Sequence, residues 1–180
     1  MSLNCANCSL ANLCLPIGLT AQEMALLDNA IKKRATIKRG EVLCQAGNPL
    51  AALYAVRSGA FKAEITSNSG ETTINAFYLP GELIGLEAVH DKIYPATITA
   101  LETSSVCMTV FDNLLKLATD IPNLQRQLLS MMSQRIEQAN TFPLTSSANQ
   151  RVATFLLNIS TRFNKRGLSA THFRLPMPRQ

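Results

Sequence analysis

The chain has 180 residues, 47% of them hydrophobic, five cysteines and a formal net charge of +5. This length buries one sizeable core with a smaller appendage, and no apolar run approaches the roughly 20 residues of a membrane-spanning helix. With no basic stretch leading into an apolar signal segment and an odd number of cysteines, a soluble cytoplasmic protein with free thiols is expected.

Three cysteines lie close together at the start of the chain, in the run CANCSLANLC. Cys5, Cys8 and Cys14 are separated by two and then by five residues. Short loops bring sulfurs together at modest entropic cost, and thiolates are ligands for soft metal centres. The spacing predicts a metal site that needs one more ligand, for which Cys107 is the candidate. A metal cluster is favoured over catalysis, and a zinc site using the same four thiolates stays open as an alternative.

The first predicted helix covers residues 20–33. Thr20 and Glu23 match a capping box, and Met24, Leu27 and Ile31 recur on one face. We expect this helix to hold the cysteine loop against the core.

Short alternating apolar segments follow, from Gly40 to about Val110. Glycines at positions 47, 59, 70, 81 and 85 punctuate them, which is typical of an antiparallel roll or barrel. Residues 68–70 (NSG) predict a hairpin turn, and residues 79–85 (LPGELIG) predict a tight loop that enters a short helical turn.

A long helix is predicted from Pro122 to about Asn140, after a short helix capped by Asp112. Pro143 is expected to end it. Two apolar stripes on the long helix predict one face on the roll and one on a partner chain, with a single wide core face as the alternative. The stripes are Ile121, Leu124, Leu128 and Met131, and Leu129, Met132, Ile136 and Ala139.

A last amphipathic helix is predicted after a serine-rich hinge and closed by Gly167. Its apolar positions are Val152, Phe155, Leu156, Ile159 and Phe163. The segment HFRLPM that follows is strand-like in composition.

Several motifs follow one another along nearly the whole chain. They are the C-x2-C-x5-C spacing followed by LP, then KRGEVLCQAG, LYAVRSGAFK, LPGELIGLEA and ALETSSVC, which ends on Cys107. Together they resemble the Crp/Fnr superfamily of bacterial transcription regulators, and within it the Fnr-type oxygen sensors.

The resemblance implies an α+β fold. Its centre is a cyclic-nucleotide-binding-like antiparallel β-roll (jelly roll) flanked by helices, with a long dimerisation helix and the start of a winged-helix domain. The implied divisions are a cysteine-rich cluster-binding loop at 1–19, the sensory roll at 20–120, the dimerisation helix at 121–142 and an incomplete DNA-binding domain at 147–180.

The same resemblance implies an oxygen-responsive regulator. Its [4Fe-4S] cluster is held by Cys5, Cys8, Cys14 and Cys107 and controls dimerisation and DNA binding. The implied partners are palindromic DNA, RNA polymerase and a second copy of the chain. The second copy is joined through Leu129, Met132 and Ile136.

Other residues near the implied cluster are given lesser roles. Leu13 and Leu15 are candidates to shield it from solvent, and Ser9 to hydrogen-bond near its sulfurs. Cys44 is expected to be a small buried hydrophobe rather than a ligand.

Cyclic-nucleotide binding is not expected, although GELIGLE resembles the phosphate-binding loop of the wider superfamily. Where such proteins present an arginine and a small hydroxyl residue to the phosphate, this chain has Tyr94 and Pro95, which offer no cation. Glu82 and Gly85 are therefore interpreted as structural.

Two departures from the Fnr pattern are visible. Fnr-type proteins carry a winged helix-turn-helix after the dimerisation helix, and only its opening, from about Ser147 to HFRLPM, is expected here, without a recognition helix. In addition, Ala139 stands where oxygen-gated members tend to carry an acidic residue. Both departures affect how dimerisation and DNA binding would depend on the cluster.

Two other functions remain as alternatives. The chain would act either as an interaction module that pairs with a full-length regulator through Leu129, Met132 and Ile136, or as a zinc-stabilised member that does not sense oxygen. Catalysis is not expected, because His90 and His172 are the only histidines and no nucleophile, H-E-x-x-H or Walker pattern accompanies them.

Overall fold

The computed structural model describes residues 4–140 and 147–175, apart from the side chains at positions 33, 34, 139 and 140. The elements are α1 (Ala21–Ala30), β1 (Ile31–Ile37), β2 (Val42–Cys44), β3 (Ala52–Ser58), β4 (Phe61–Thr66), β5 (Thr72–Tyr78), β6 (Leu83–Ile84), β7 (Thr97–Ala100), β8 (Ser104–Val110), α2 (Phe111–Asp120), α3 (Pro122–Asn140) and α4 (Ala148–Asn164). A single turn of 3₁₀ helix, Leu86–Ala88, lies between β6 and β7.

Two four-stranded sheets form the β-roll. Their strand orders are β1-β8-β3-β6 and β2-β7-β4-β5, and the paired strands are antiparallel. The core receives side chains from both sheets, including Val56, Phe61, Ile84, Ile98 and Val106. The predicted fold, a cyclic-nucleotide-binding-like jelly roll flanked by helices, is confirmed.

The first helix is shorter than predicted. The capping box is present: the Glu23 N–H donates to the Thr20 hydroxyl at 3.3 Å, and the Thr20 N–H donates to the Glu23 carboxylate at 2.7 Å. The helix ends at Ala30, however, and Ile31 begins β1. Backbone pairing of residues 31–37 with β8 overrides the helical period, so the prediction that Ile31 shares the helix face is wrong.

The predicted turns of the roll are confirmed. Gly70 has φ 84° and its N–H donates to the Ser67 carbonyl at 2.9 Å, which closes the β4–β5 hairpin. The loop at 79–85 contains β6, which pairs with β3, and leads into the 3₁₀ turn.

The prediction that Asp112 caps α2 is wrong. The N-cap is Val110, which makes no side-chain capping bond, and Asp112 lies inside the first turn. A carboxylate there still interacts favourably with the helix dipole.

The long helix α3 begins at Pro122 as predicted, and its described part ends at Asn140. Ile121 immediately precedes the helix, and Ile121 and Leu124 are buried. Leu129 and Ile136 are 60% and 62% exposed, while Met132 is half-buried. The predicted helix stop at Pro143 lies outside the described residues, as does the side chain of Ala139.

Helix α4 is also present, and Ser147 and Gln150 form its capping box. Ile159 is buried, whereas Val152 and Leu157 are exposed. Residues 172–175 of the strand-like segment form no strand, and its remainder, with Arg179 and Gln180, lies outside the described residues.

The chain divides into two compact units, Met1–Leu128 and Leu129–Gln180. The boundary falls inside α3, so the four-part division drawn from the sequence stays a prediction. No helix within the described ranges is both long and apolar enough to cross a bilayer.

Candidate functional site

The cysteine loop is a series of consecutive turns that precedes α1. The Cys8 N–H donates to the Cys5 carbonyl at 3.3 Å, the Ala11 N–H to the Cys8 carbonyl at 3.0 Å, and the Ile17 N–H to the Cys14 carbonyl at 3.4 Å. Turn-to-turn bonds of this kind satisfy the backbone without a regular helix or strand. Three thiols are thereby carried on a compact but irregular segment.

Cys107 is held differently, on the central part of β8. It pairs with Arg34 of β1 on one side and with Ala55 of β3 on the other. A residue hydrogen-bonded into a ladder between two neighbouring strands has little freedom to move. Three of the predicted ligands therefore lie on an irregular loop, and the fourth lies on a strand that is paired on both sides.

All four predicted cysteines line one cavity. It measures about 460 Å³ when the part open to solvent is counted. Its other walls are mostly apolar and are contributed by Leu10, Ala11, Leu15, Pro16, Leu27, Ile31, Ala55, Val56, Arg57 and Thr109. The fold thus brings Cys107 to the same cavity as Cys5, Cys8 and Cys14, although it lies far from them in the sequence.

The residues given lesser roles near the site differ in their exposure to solvent. Leu15 is buried and lines the cavity. Leu13 is half-buried and Ser9 is exposed, and neither belongs to the described cavity wall. Burial of Leu15 in the cavity wall agrees with a shielding role, while the shielding by Leu13 and the hydrogen bonding by Ser9 stay predictions.

Asp28 of α1 connects the helix to the first cysteine. Its carboxylate accepts the Cys5 backbone N–H at 3.2 Å and also bonds the Cys5 side chain. Burial, above all, raises the pKa of the Cys5 thiol to about 12, and the charges of Asp28, Cys14 and Cys107 act in the same direction. Without a bound metal, Cys5 is therefore a neutral thiol at pH 7.

Cys14 is also held as a neutral thiol. Burial raises its pKa to about 12, against a hydrogen bond with the Leu15 backbone that lowers it, while Cys107 and Cys8 raise it further. Metal binding to such thiols releases protons, because the ligand is the thiolate.

Cys5, Cys8, Cys14 and Cys107 line a cavity, but they do not form a site for a single metal ion. Over residues 4–140 and 147–175, no three histidine, cysteine, aspartate or glutamate side chains are grouped closely enough to hold a single metal ion. A tetrahedral zinc site with Zn–S bonds of about 2.3 Å needs all four sulfurs in mutual contact. None of the five cysteines, all of them described, is in a disulfide.

Two side chains of α3 bond the backbone of the cysteine loop. The Gln127 side-chain amide donates to the Cys14 carbonyl at 3.3 Å, and the Asn123 amide donates to the Gly18 carbonyl at 3.0 Å. These contacts connect the predicted ligand loop to the start of the predicted dimerisation helix. Sequence reasoning did not find Asp28, Asn123 or Gln127, because ordinary polar residues on helices give no spacing signal.

Cys44 lies apart from this site. It is 4% exposed, belongs to the core of the roll and hydrogen-bonds with Tyr94. The prediction that it is a buried, non-ligand residue agrees with its position.

Tyr94 lies beside the loop whose sequence resembles a phosphate-binding loop. Its hydroxyl donates to the Ala52 carbonyl at 2.5 Å, and a Cβ added at Gly85 would lie 3.3 Å from its ring. Glu82 accepts the Leu79 N–H at 3.1 Å, and Glu87 accepts the Tyr78 hydroxyl at 2.8 Å. Both carboxylates therefore make structural contacts within the roll.

The chain is similar in sequence to anaerobic regulators. The family described as cyclic nucleotide-binding domain matches residues 34–120. Transcriptional activator protein FnrA of Stutzerimonas stutzeri is 44% identical over 179 residues, which cover 98% of this chain and 73% of that protein. The anaerobic regulatory protein of Haemophilus influenzae is 41% identical over 181 residues, covering 99% of this chain and 70% of that protein.

A solved structure supports the same fold. The catabolite activator protein of Thermus thermophilus aligns with a TM-score of 0.59 and 21% identity, over 87% of this chain and 81% of that chain. Fold and sequence together define a domain of the cyclic-nucleotide-binding type. The long helix α3 follows it directly. The chain belongs to the Crp/Fnr superfamily of transcription regulators.

Proposed function

We propose that the chain is an anaerobic transcription regulator that senses oxygen through a [4Fe-4S] cluster held by Cys5, Cys8, Cys14 and Cys107. One observation carries the proposal: four thiols, three from a loop and one from a distant strand, line the same apolar cavity. When bound, the cluster supplies an oxygen-reactive centre, and protein thiolates are its usual ligands.

The donor set fits such a group. None of the four cysteines forms a disulfide, and together they line one largely apolar cavity, which is the donor set that iron-sulfur clusters use. The apolar wall limits access of water to the sulfurs and lowers the local dielectric, which are the usual means by which a protein tunes such a site.

A conformational change in the cysteine loop would reach α3 through hydrogen bonds. Gln127 and Asn123 bond carbonyls of the loop, so a change in the loop backbone alters contacts at the base of that helix. Cys107 stays in its ladder while Cys5, Cys8 and Cys14 move with the loop. We infer that losing the shared ligand frees the loop and weakens these two bonds.

The partner surface is proposed to lie further along α3. Leu129 and Ile136 are seven residues apart on one face, with Met132 between them, and the two outer side chains are exposed in the single chain. Apolar residues at this spacing form the seam between paired helices. A second copy of the chain would bury them, and a dimer is the form in which a regulator of this superfamily is expected to bind palindromic DNA and act with RNA polymerase.

The proposal is tested on protein purified without oxygen. We expect visible absorbance, about four irons and four sulfides per chain as a [4Fe-4S] centre requires, and loss of colour when air is admitted. Cys107→Ser is expected to abolish iron binding, and Cys44→Ser is the matched control because Cys44 lies outside the cavity.

Two results would contradict the proposal. Equal iron contents in the Cys107→Ser and Cys44→Ser variants would remove Cys107 from the ligand set. A colourless protein that contains zinc and takes up no iron on reconstitution would replace the cluster with a structural metal site.

A further inference from the structure

Gly81 lies where the cysteine loop meets the turn that joins β5 to β6. A Cβ added at Gly81 would lie 2.9 Å from the Leu13 Cβ and 3.3 Å from the Leu13 carbonyl oxygen. Two side-chain carbons essentially never approach so closely, so a side chain at position 81 would displace one of the two segments. Leu13 directly precedes Cys14 in the sequence, so this contact affects where a predicted ligand lies.

The turn at residues 79–82 is held by hydrogen bonds to β3 and within itself. The Gly81 N–H donates to the Val56 carbonyl at 2.8 Å, and the Val56 N–H donates to the Glu82 carbonyl at 2.9 Å. The Glu82 N–H donates to the Leu79 carbonyl at 3.1 Å, and the Glu82 carboxylate accepts the Leu79 N–H at 3.1 Å. A proline followed by a glycine with φ 91° matches a type II turn. Because the turn is fixed in this way, the irregular cysteine loop is the segment that would move.

Both sides of the contact continue into the wall around the thiols. Val56, whose backbone bonds the turn twice, is 1% exposed and lines the cysteine cavity. In the loop, the Leu13 N–H donates to the Leu10 carbonyl at 2.9 Å, and Leu10 lines the same cavity. A shift of Leu13 would therefore move Cys14 relative to the rest of the cavity wall, because the two residues share a peptide bond.

We propose that Gly81 is a positioning residue for the cysteine loop: with no side chain there, Leu13 packs directly on the turn and Cys14 is fixed in the cavity wall. Gly81 begins GELIGLE, the sequence that resembles a phosphate-binding loop. This chain uses part of that loop to contact its own N-terminal segment. The effect on an iron-sulfur group rests on the proposed function, whereas the effect on the position of Cys14 does not.

The test is the rate at which iodoacetamide alkylates Cys14 in the reduced, metal-free full chain, followed by tandem mass spectrometry. Gly81→Ala is expected to raise this rate at least about fivefold, because overpacking displaces the loop and exposes a thiol that is half-buried in the parent. Gly70→Ala is the matched control. Gly70 has φ 84°, and a Cβ added there meets nothing within 4 Å, so its rate should stay within about twofold of the parent. Alkylation of buried Cys44 reports general unfolding and should be unchanged.

The contact is also tested from the side of the loop. Leu13→Gly removes the Cβ with which the new methyl group would collide, so in that background Gly81→Ala should change the Cys14 rate by no more than about twofold. Leu13→Gly alone should speed alkylation, because it loses the contact with the turn. Asn12→Gly, at the exposed neighbouring position, adds the same backbone freedom and should match the parent. These loop variants test the contact even if Gly81→Ala does not fold.

Iron and sulfide contents after anaerobic reconstitution measure the consequence for the cluster. Gly81→Ala should bind at least about twofold less iron than the parent, and Gly70→Ala should bind the same amount. An unchanged Cys14 rate in Gly81→Ala, or an equal increase in Gly70→Ala, would overturn the positioning role and leave the cluster proposal intact. A parent chain that takes up no iron and sulfide would refute the proposed function, and the alkylation rates would still decide the role of Gly81.

Discussion

The side-chain amide of Gln127, in α3, donates a hydrogen bond to the backbone carbonyl of Cys14 at 3.3 Å. The same carbonyl accepts the Ile17 N–H, so both of its acceptor positions are used. This bond joins a predicted metal ligand directly to the helix that carries Leu129 and Ile136. The proposed coupling between the thiol site and the predicted dimerisation helix would act through this bond, which a single substitution can remove.

Gln127→Met is therefore expected to weaken the dimer of the cluster-loaded protein. Methionine keeps the side-chain length but cannot donate, and a typical hydrogen bond contributes about 1 kcal/mol, or about fivefold in an equilibrium constant. Anaerobic sedimentation would measure the dimer dissociation constant. Gln125→Met, on the exposed side of the same helix, is the control. If both variants dimerise equally well with the cluster bound, the bond does not couple the two sites.

Gly59→Ala is expected to destabilise the roll far more than Gly47→Ala. Both glycines have φ near +80°, where an added Cβ costs about 1–2 kcal/mol. At Gly59 the Cβ would also lie 2.7 Å from the Cβ of buried Ser104, and closer still to its hydroxyl, whereas at Gly47 it meets nothing within 4 Å.

Urea unfolding of the metal-free variants would measure this difference. We expect a cost of about 3 kcal/mol or more for Gly59→Ala, because backbone strain and overpacking add. Similar unfolding free energies for the two variants would show that the β3–β4 turn and the start of β8 separate easily.

Cys44 is expected to make the protein less stable in alkali. Burial raises the pKa of its thiol to about 12 from an unfolded value of about 9, so between these values the folded chain binds more protons than the unfolded chain. The stabilisation from the neutral thiol is complete below about pH 9 and is lost as the pH rises toward 12.

The measurement is the free energy of unfolding from pH 8 to 11 for the parent and for Cys44→Ala. The parent should lose stability more steeply, and the difference between the two curves removes the contributions of Cys5, Cys14 and the tyrosines. Parallel curves would show that Cys44 ionises as readily in the folded chain as in the unfolded one. The Ala variant should have a lower overall stability, because it loses a buried sulfur.

Cyclic AMP is expected to leave the melting temperature unchanged. Tyr94 occupies the region next to the loop at 81–88, and its hydroxyl is committed to Ala52. A ligand present at a hundredfold excess over its dissociation constant would add about 2.7 kcal/mol, which a thermal shift assay detects easily. A cyclic-AMP-binding member of the superfamily serves as the positive control. A clear upward shift for this chain would mean that the nucleotide site survives without an arginine.

Local patterns in the sequence predicted several parts of the structure correctly. The capping box at Thr20, the hairpin at Gly70 and the start of α3 at Pro122 each depend on residues within one or two turns of chain. Prediction from local patterns was wrong at Ile31. This residue belongs to β1 rather than to the helix, because it pairs with β8, which is distant in the sequence. Prediction from local patterns also failed at Asp112, because a residue type favoured at caps need not occupy the cap.

By itself, the sequence determined which soft donors are available, because C-x2-C-x5-C carries three thiols on one short segment, and its ordered motifs predicted the superfamily. Only the tertiary structure placed Cys107 opposite that loop, because strand order and register set which face of β8 meets it. Asp28 and Gln127 likewise came into contact with the cysteine loop only on folding. Their side chains carry no metal-binding signature, and contacts between residues distant in sequence depend on the packing of the whole domain.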